Sequence, residues 1–265
     1  MILSSASPGG VALSLAAAAA YAVPAIGASR LSESVARKVL LAAWLLHAIT
    51  LGWGLFGDAP RFGFAPALSV TAWLVLTVYV VEKKMFPQLR SRWALSGLGA
   101  AAVLLALAFP GTPLQVSTSP WLSLHWALGI AAYGLFAAAA VHAWMLQRVE
   151  RNIRQAAEPQ ADLPLLTLER LTFRFATAGF VLLTATLIAG VFFSEALYGR
   201  AWHADHKTLF ALLSWVVFAV LLMGRFRFGL RGRRAVNVLY FGSVLLLLAY
   251  VGSRFVLEVV LGRGA

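Results

Sequence analysis

No charged side chain occurs before Arg30, and from Val11 to Ala28 the chain is apolar almost throughout. Such a stretch can satisfy its backbone in hydrocarbon only as a helix, because lipid offers no hydrogen bonds. A bilayer core of about 30 Å takes roughly 20 apolar residues per helix. Runs of that kind recur at about 11–28, 38–56, 65–82, 93–109, 122–146, 173–194, 208–224 and 236–258. The chain is 61% hydrophobic and 12% charged, against about 45–50% and about 25% in soluble domains. These features predict an all-α, polytopic integral membrane bundle of about eight transmembrane helices, with residues 1–265 as a single membrane domain. The first run lacks the basic flank of a cleavable signal, so it is expected to remain as a helix.

The net charge of +12 would suit nucleic acid only if the basic residues shared one solvated face. They sit instead in short stretches between apolar runs, so the expected partner is the lipid bilayer and no nucleic acid is expected. Lys and Arg concentrate in cytoplasmic loops. The connections 1–2, 3–4, 5–6 and 7–8 hold 17 of them and the opposite side holds 5, which places both termini outside. Arg225, Arg227, Arg231, Arg233 and Arg234 all fall in the 7–8 connection. Orientation accounts for this cluster, and contact with anionic lipid is the other reading. The cytoplasmic loop 147–172 carries Pro159 and Pro164, and from Leu165 to Arg174 its apolar residues recur at helical spacing, as in an interfacial helix. The uncharged 4–5 connection, Pro110 to Ser123, is expected to form a short ordered cap outside.

Cysteine is absent, which excludes disulfides, thiolate metal sites, a C-x-x-C relay and covalent haem attachment through C-x-x-C-H. The five histidines are then the informative set, because an ionisable group within a span is a functional candidate by default. His47 lies about ten residues into the second run, near mid-membrane at about 1.5 Å per residue. His125 opens the fifth run on the outer side. His142 stands about 25 Å further along the same helix, so the two cannot share one small site. His203 and His206 precede the seventh run, outside again, and are about one turn apart if that stretch is helical.

His125, His203 and His206 therefore share a leaflet, near Trp121, Trp126, Trp202, Tyr198, Glu195 and Asp205. Two histidines from different helices, with a flat apolar ring between them, commonly hold b-type haem in a membrane. Asp205 or Glu195 would orient an imidazole by accepting its second N–H. Plainer readings stand beside these. The tryptophans also sit where interfacial aromatics anchor helices. His203 and His206 also read as solvated loop residues, His142 as interfacial beside Trp144, and His47 as hydrogen-bonded across helices.

No span has an Asp or Glu near mid-membrane, which argues against a proton-driven transporter. Glu258 and Arg254, four apart near the outer end of the last run, are placed to pair. No phosphate loop, H-E-x-x-H or nucleophile elbow occurs, so the chain is not expected to be an enzyme.

Two segments resemble the cytochrome c assembly protein family, the membrane haem handlers of cytochrome c maturation. In the first, Leu124-His125-Trp126 through Trp144, the residues His125, Tyr133 and Gly134 match a helix that the family opens with an outer histidine. In the second, Asp205-His206-Lys207 onward, Asp205, Lys207, Trp215, Arg225, Gly232 and Arg233 match. The likeness covers most of the chain, strongest from about 120 to 256. It is nearest to a short eight-helix, YpjD/HemX-like branch, which carries a helix-two histidine, here His47 in Trp44-Leu-Leu-His, and an ending like Ala249-Tyr-Val-Gly-Ser-Arg. The resemblance implies a bacterial inner (cytoplasmic) membrane protein with both termini periplasmic, binding haem b. His125, with His206 or His47, would ligate the iron, and Trp121, Trp126 and Trp202 would line the ring.

The chain departs from the synthases of the family. Their tryptophan-rich outer loop shrinks here to Phe193 through His206, their seventh-helix histidine is Gly224, and their final outer histidine is absent. These departures favour haem handling or delivery for cytochrome complex assembly over ligation of apocytochrome. The implied partners are cytochrome c maturation or haem-synthesis proteins. The alternatives are an accessory or regulatory protein acting through its basic cytoplasmic loops, and an ion-export auxiliary using His203 and His206.

Overall fold

The computed structural model describes residues 7–27, 30–57, 60–86, 93–113, 120–155, 163–192 and 205–262, leaving aside the side chains of Trp93, Pro120 and Trp121. Among the described residues eight long helices run in chain order: α1 (Pro8–Ile26), α2 (Glu33–Phe56), α3 (Phe64–Met85), α4 (Trp93–Ala108), α5 (Pro120–Arg154), α6 (Leu165–Phe192), α7 (His206–Phe228) and α8 (Gly232–Leu247). A two-residue antiparallel ladder, β1 (Arg61–Phe62) with β2 (Thr112–Pro113), pairs Arg61 with Pro113 and Phe62 with Thr112. Beyond α8 the same rod continues to Val260 through π-helical turns at Leu248–Gly252 and Val256–Val260, with Ser253–Phe255 between them. Seven of these rods are long and apolar enough to cross a membrane. The eighth, α4, is the shorter one: its 16 residues rise about 24 Å, less than a full hydrocarbon core. The chain is a polytopic helical membrane protein.

Helix ends follow local chemistry. Ser7 caps α1 by accepting the Gly10 N–H at 3.2 Å, with Pro8 in the first turn. Ser32 caps α2 through the Val35 N–H. At the far end of α7, Gly229 takes a left-handed backbone (φ 64°) that stops the helix, a geometry glycine adopts without penalty. The region 147–172 is more helical than its charges suggest. The α5 helix runs on to Arg154, and the stretch from Leu165 to Arg174 is the beginning of α6 rather than a separate interfacial helix. The helix can carry Glu169 because Arg225 neutralises it within the bundle.

The chain forms two compact units, Met1–Gln115 with Arg254–Ala265, and Val116–Ser253. In the first, α1 packs on α2 and α4, and α3 on α4. Lipid tails are as apolar as the side chains, so close approach of small residues carries helix association in a membrane. Ala17, Ala18 and Tyr21 of α1 are buried, and Gly99 of α4 lies under the Tyr21 ring, where a Cβ would come within 2.9 Å. The Glu258 carboxylate lies over the start of α3, accepting from the Phe64 N–H and sitting 2.6 Å from where a Gly63 Cβ would be. Arg254 is its charged neighbour, but the capping contact with α3 has no signal in the sequence spacing.

In the second unit α5 packs along α6, and α7 along α8. Phe136 and Phe218 stack at 3.8 Å with planes 10° apart, seated over Gly179 and Gly242. A Cβ at Gly242 would come within 2.8 Å of the Phe218 ring. The Tyr133 hydroxyl donates to the Leu246 carbonyl, where α8 passes into its π-helical turn. Such turns leave α-helical carbonyls without their usual partners, and Tyr133 supplies one.

Candidate functional site

His125 lies near the start of α5 and is half-buried. The Cε1–Nδ1 edge of its ring faces α6 at Gly190: a Cβ there would lie 3.4 Å from Cε1 and 3.9 Å from Nδ1. The absent side chain at Gly190 is what gives the imidazole its place. The Thr186 carbonyl, one turn back on α6, lies alongside the ring. Nδ1 is enclosed and makes no hydrogen bond of full geometry among the described residues, with the Thr186 carbonyl an acceptor beside the ring. A buried polar atom without a well-formed hydrogen bond normally costs free energy, which marks this imidazole as a candidate site residue. Trp126, the next residue, is half-buried beside it.

His206 belongs to the same unit. It is the first residue of α7 and is exposed. Asp205 fixes that helix start: its Oδ1 accepts from the Thr208 N–H and from the Thr208 hydroxyl, each at 2.9 Å. Burial works against the Asp205 charge. The two Thr208 donors, with Lys207 and His206 alongside, outweigh it and hold the carboxyl below its ordinary range. Oδ1 is therefore spent on the helix cap, a role distinct from orienting an imidazole. The α7 helix begins at His206, and His203, Trp202, Tyr198 and Glu195 lie outside the described residues, as does the Trp121 side chain.

His47 is found in the other unit, fully buried on α2. Both ring nitrogens are engaged: Nδ1 with the Tyr21 hydroxyl of α1 at 3.2 Å, and Nε2 with the Ser69 hydroxyl of α3 at 2.9 Å. Tyr21 also meets the ring edge-on at 5.7 Å. Iron ligation by His47 would require one of these bonds to open. Tyr21 and Ser69 are absent from the residues singled out in the sequence. The available signal was a polar side chain inside an otherwise apolar run, at Tyr21 after five consecutive alanines. His142, read as interfacial, is instead buried: its Nδ1 meets the Ala138 carbonyl at 2.7 Å and its ring lies 5.1 Å from Phe175 of α6. Among the described residues no group of three or more His, Asp or Glu could hold a metal ion.

The fold and this site define a class: multi-pass helical membrane proteins with a half-buried histidine near one helix end. Residues 29–261 match the family described as Cytochrome C assembly protein. The chain belongs to that family. It is 30% identical over 225 residues to the inner membrane protein YpjD of Escherichia coli (strain K12), covering 82% of this chain and 84% of that protein. It is 26% identical over 270 residues to the cytochrome c biogenesis protein CcsA of Synechococcus sp. (strain WH7803), covering 86% and 84%. No solved structure matches it.

Proposed function

We propose that the protein binds haem b in the inner membrane and holds it for cytochrome complex assembly, with His125 as an axial ligand. The observation that carries this reading is the enclosed imidazole edge of His125, set against Gly190 and beside the Thr186 carbonyl, in a chain of the cytochrome c assembly family. The residues present fit such a group. With Nε2 on the iron, the imidazole keeps its proton on Nδ1, and the Thr186 carbonyl beside the ring would accept it. An acceptor of that kind fixes the tautomer of a ligating histidine and strengthens it as a donor. His206, in the same unit, would be the second ligand and Trp126 an apolar neighbour, while Trp121 and Trp202, also part of the proposal, lie outside what is described. When bound, haem would supply an iron centre held by histidine nitrogens; everything else falls to the chain.

On this reading the protein is a carrier and not an enzyme, working with cytochrome c maturation or haem-synthesis proteins. Both termini face the periplasm, which the 17 to 5 split of basic residues supports. His125 then lies toward the periplasmic leaflet. Haemin titration of the detergent-purified protein tests the proposal. A Soret band is expected that His125→Ala abolishes; absence of any band in the wild type refutes it. Incubation with a haem-free apocytochrome should leave no covalent haem attached.

A further inference from the structure

The turn joining α7 to α8 carries more positive charge than its own packing uses. One arginine there is structural. The Arg225 guanidinium is mostly buried, pairs with Glu169 of α6, lies 4.4 Å from the centre of the Phe173 ring and donates to the Leu230 carbonyl at 3.4 Å. Glu169 also holds Arg231 at 3.6 Å. Among the described residues, the carboxylate that reaches the turn is thus consumed from inside. Arg227, Arg233 and Arg234 are exposed and form no ion pair among the described residues.

The surroundings are apolar and open. Phe226 and Phe228 are 72% and 84% exposed. Gly229 and Gly232 both have φ of 64°, and no atom lies within 4 Å of the Cβ position of either. The turn is therefore held rigidly from beneath and unobstructed from above. Exposed arginines between exposed phenylalanines match one occupant: a phosphate ester carried on acyl chains. Guanidinium groups bind phosphate with paired, charge-assisted hydrogen bonds. The rings would lie against the chains, as apolar residues do at a membrane boundary. The first turn of α8 adds to the attraction, because its cap residue Arg231 makes no side-chain cap and the positive end of the helix faces the same place.

We propose that this turn is a binding site for the headgroup of an anionic phospholipid. Threading of the chain needs only a count of basic residues per side. It does not require Arg227, Arg233 and Arg234 to flank one turn without an ion pair among the described residues, propped by a fourth arginine.

The test uses the full-length protein in bilayers of phosphatidylcholine with one-fifth phosphatidylglycerol. After mild detergent extraction, the phosphatidylglycerol retained per protein is measured by mass spectrometry. The variant Arg227→Gln/Arg233→Gln/Arg234→Gln leaves the Glu169–Arg225 pair intact. It should retain at least about fivefold less phosphatidylglycerol, the loss expected when even one basic residue leaves an anionic surface. The control Arg30→Gln/Arg37→Gln/Lys38→Gln removes as many charges from another connection on the same side and should retain the lipid like wild type. Because the chain lacks cysteine, single engineered cysteines report that orientation is unchanged. Equal retention in wild type and the arginine variant overturns the proposal, as does equal loss in the control. So does displacement by inorganic phosphate at the lipid's own concentration, or capture of a soluble protein with no lipid preference. Should the variant not fold, a salt titration of wild type decides: retention must fall as salt rises, and indifference to salt overturns the site.

Discussion

His47 and His125 are the same side chain set into apolar helices, and their surroundings treat them differently. His47 is closed in by three helices, each nitrogen given a hydroxyl. His125 is flanked by a glycine, and among the described residues its enclosed nitrogen has no side-chain partner. An imidazole bonded at both nitrogens ties helices together, whereas one without such hydroxyls does not. Depth alone, the property read from the sequence, does not separate the two; the neighbours on facing helices do.

The comparison breaks most visibly at His125. Replacing it with alanine should remove the Soret band on haemin titration while leaving thermal stability in detergent close to wild type. A lost band with an equally large loss of stability would mean that His125 is a structural residue like His47. Next is Gly190: alanine fits, since its Cβ would make an ordinary 3.4 Å contact. Leucine overfills the space and should weaken haem binding about tenfold, in line with the cost of overpacking a filled site.

His47→Ala should do the reverse of His125→Ala. Haem binding persists, and stability falls by about 2 kcal/mol because a hole opens and two buried hydroxyls lose their partner. Denaturation in detergent followed by circular dichroism measures it. Asp205→Ala removes the α7 cap and should cost about 1 kcal/mol. Its carboxyl is held below the ordinary range in the fold. The contribution is therefore fully present above about pH 4 and fades as pH drops through the lower, folded value. Wild type and variant should converge in acid. The smallest effect is expected for Tyr21→Phe, about 0.6 kcal/mol, typical of one interhelical hydrogen bond in a membrane. Shifts of the His47 ring resonances would confirm which bond was lost.

The membrane architecture was legible because a run of apolar residues has one structural solution in lipid. The basic connections between runs were equally plain. What escaped were relations between helices. Nothing in the spacing of Glu258 shows that it meets the first turn of α3. Nothing around Leu165 says that a charged stretch continues as α6, because Arg225, which compensates Glu169, stands 56 positions beyond that glutamate. The two-residue ladder between Arg61–Phe62 and Thr112–Pro113 is too short to leave a periodic trace. At the site, His125, His206 and Trp126 were readable as residue types. The roles of Gly190 and Thr186 were not, since a glycine and a threonine carbonyl within an apolar helix have no distinguishing pattern.

The Glu258 contact also bears on the order in which the molecule is made. The first unit includes Arg254–Ala265, so α3 receives its cap only after the whole of the second unit, Val116–Ser253, has been synthesised. At translation rates of about 5–20 residues per second, Glu258 follows Gly63 by roughly ten to forty seconds. Throughout that interval α1 to α4 wait in the bilayer with the start of α3 uncapped, while the histidine-bearing second unit is completed. A chain stopped before Glu258 should insert all its apolar segments and yet be recognised as unfinished by membrane proteases.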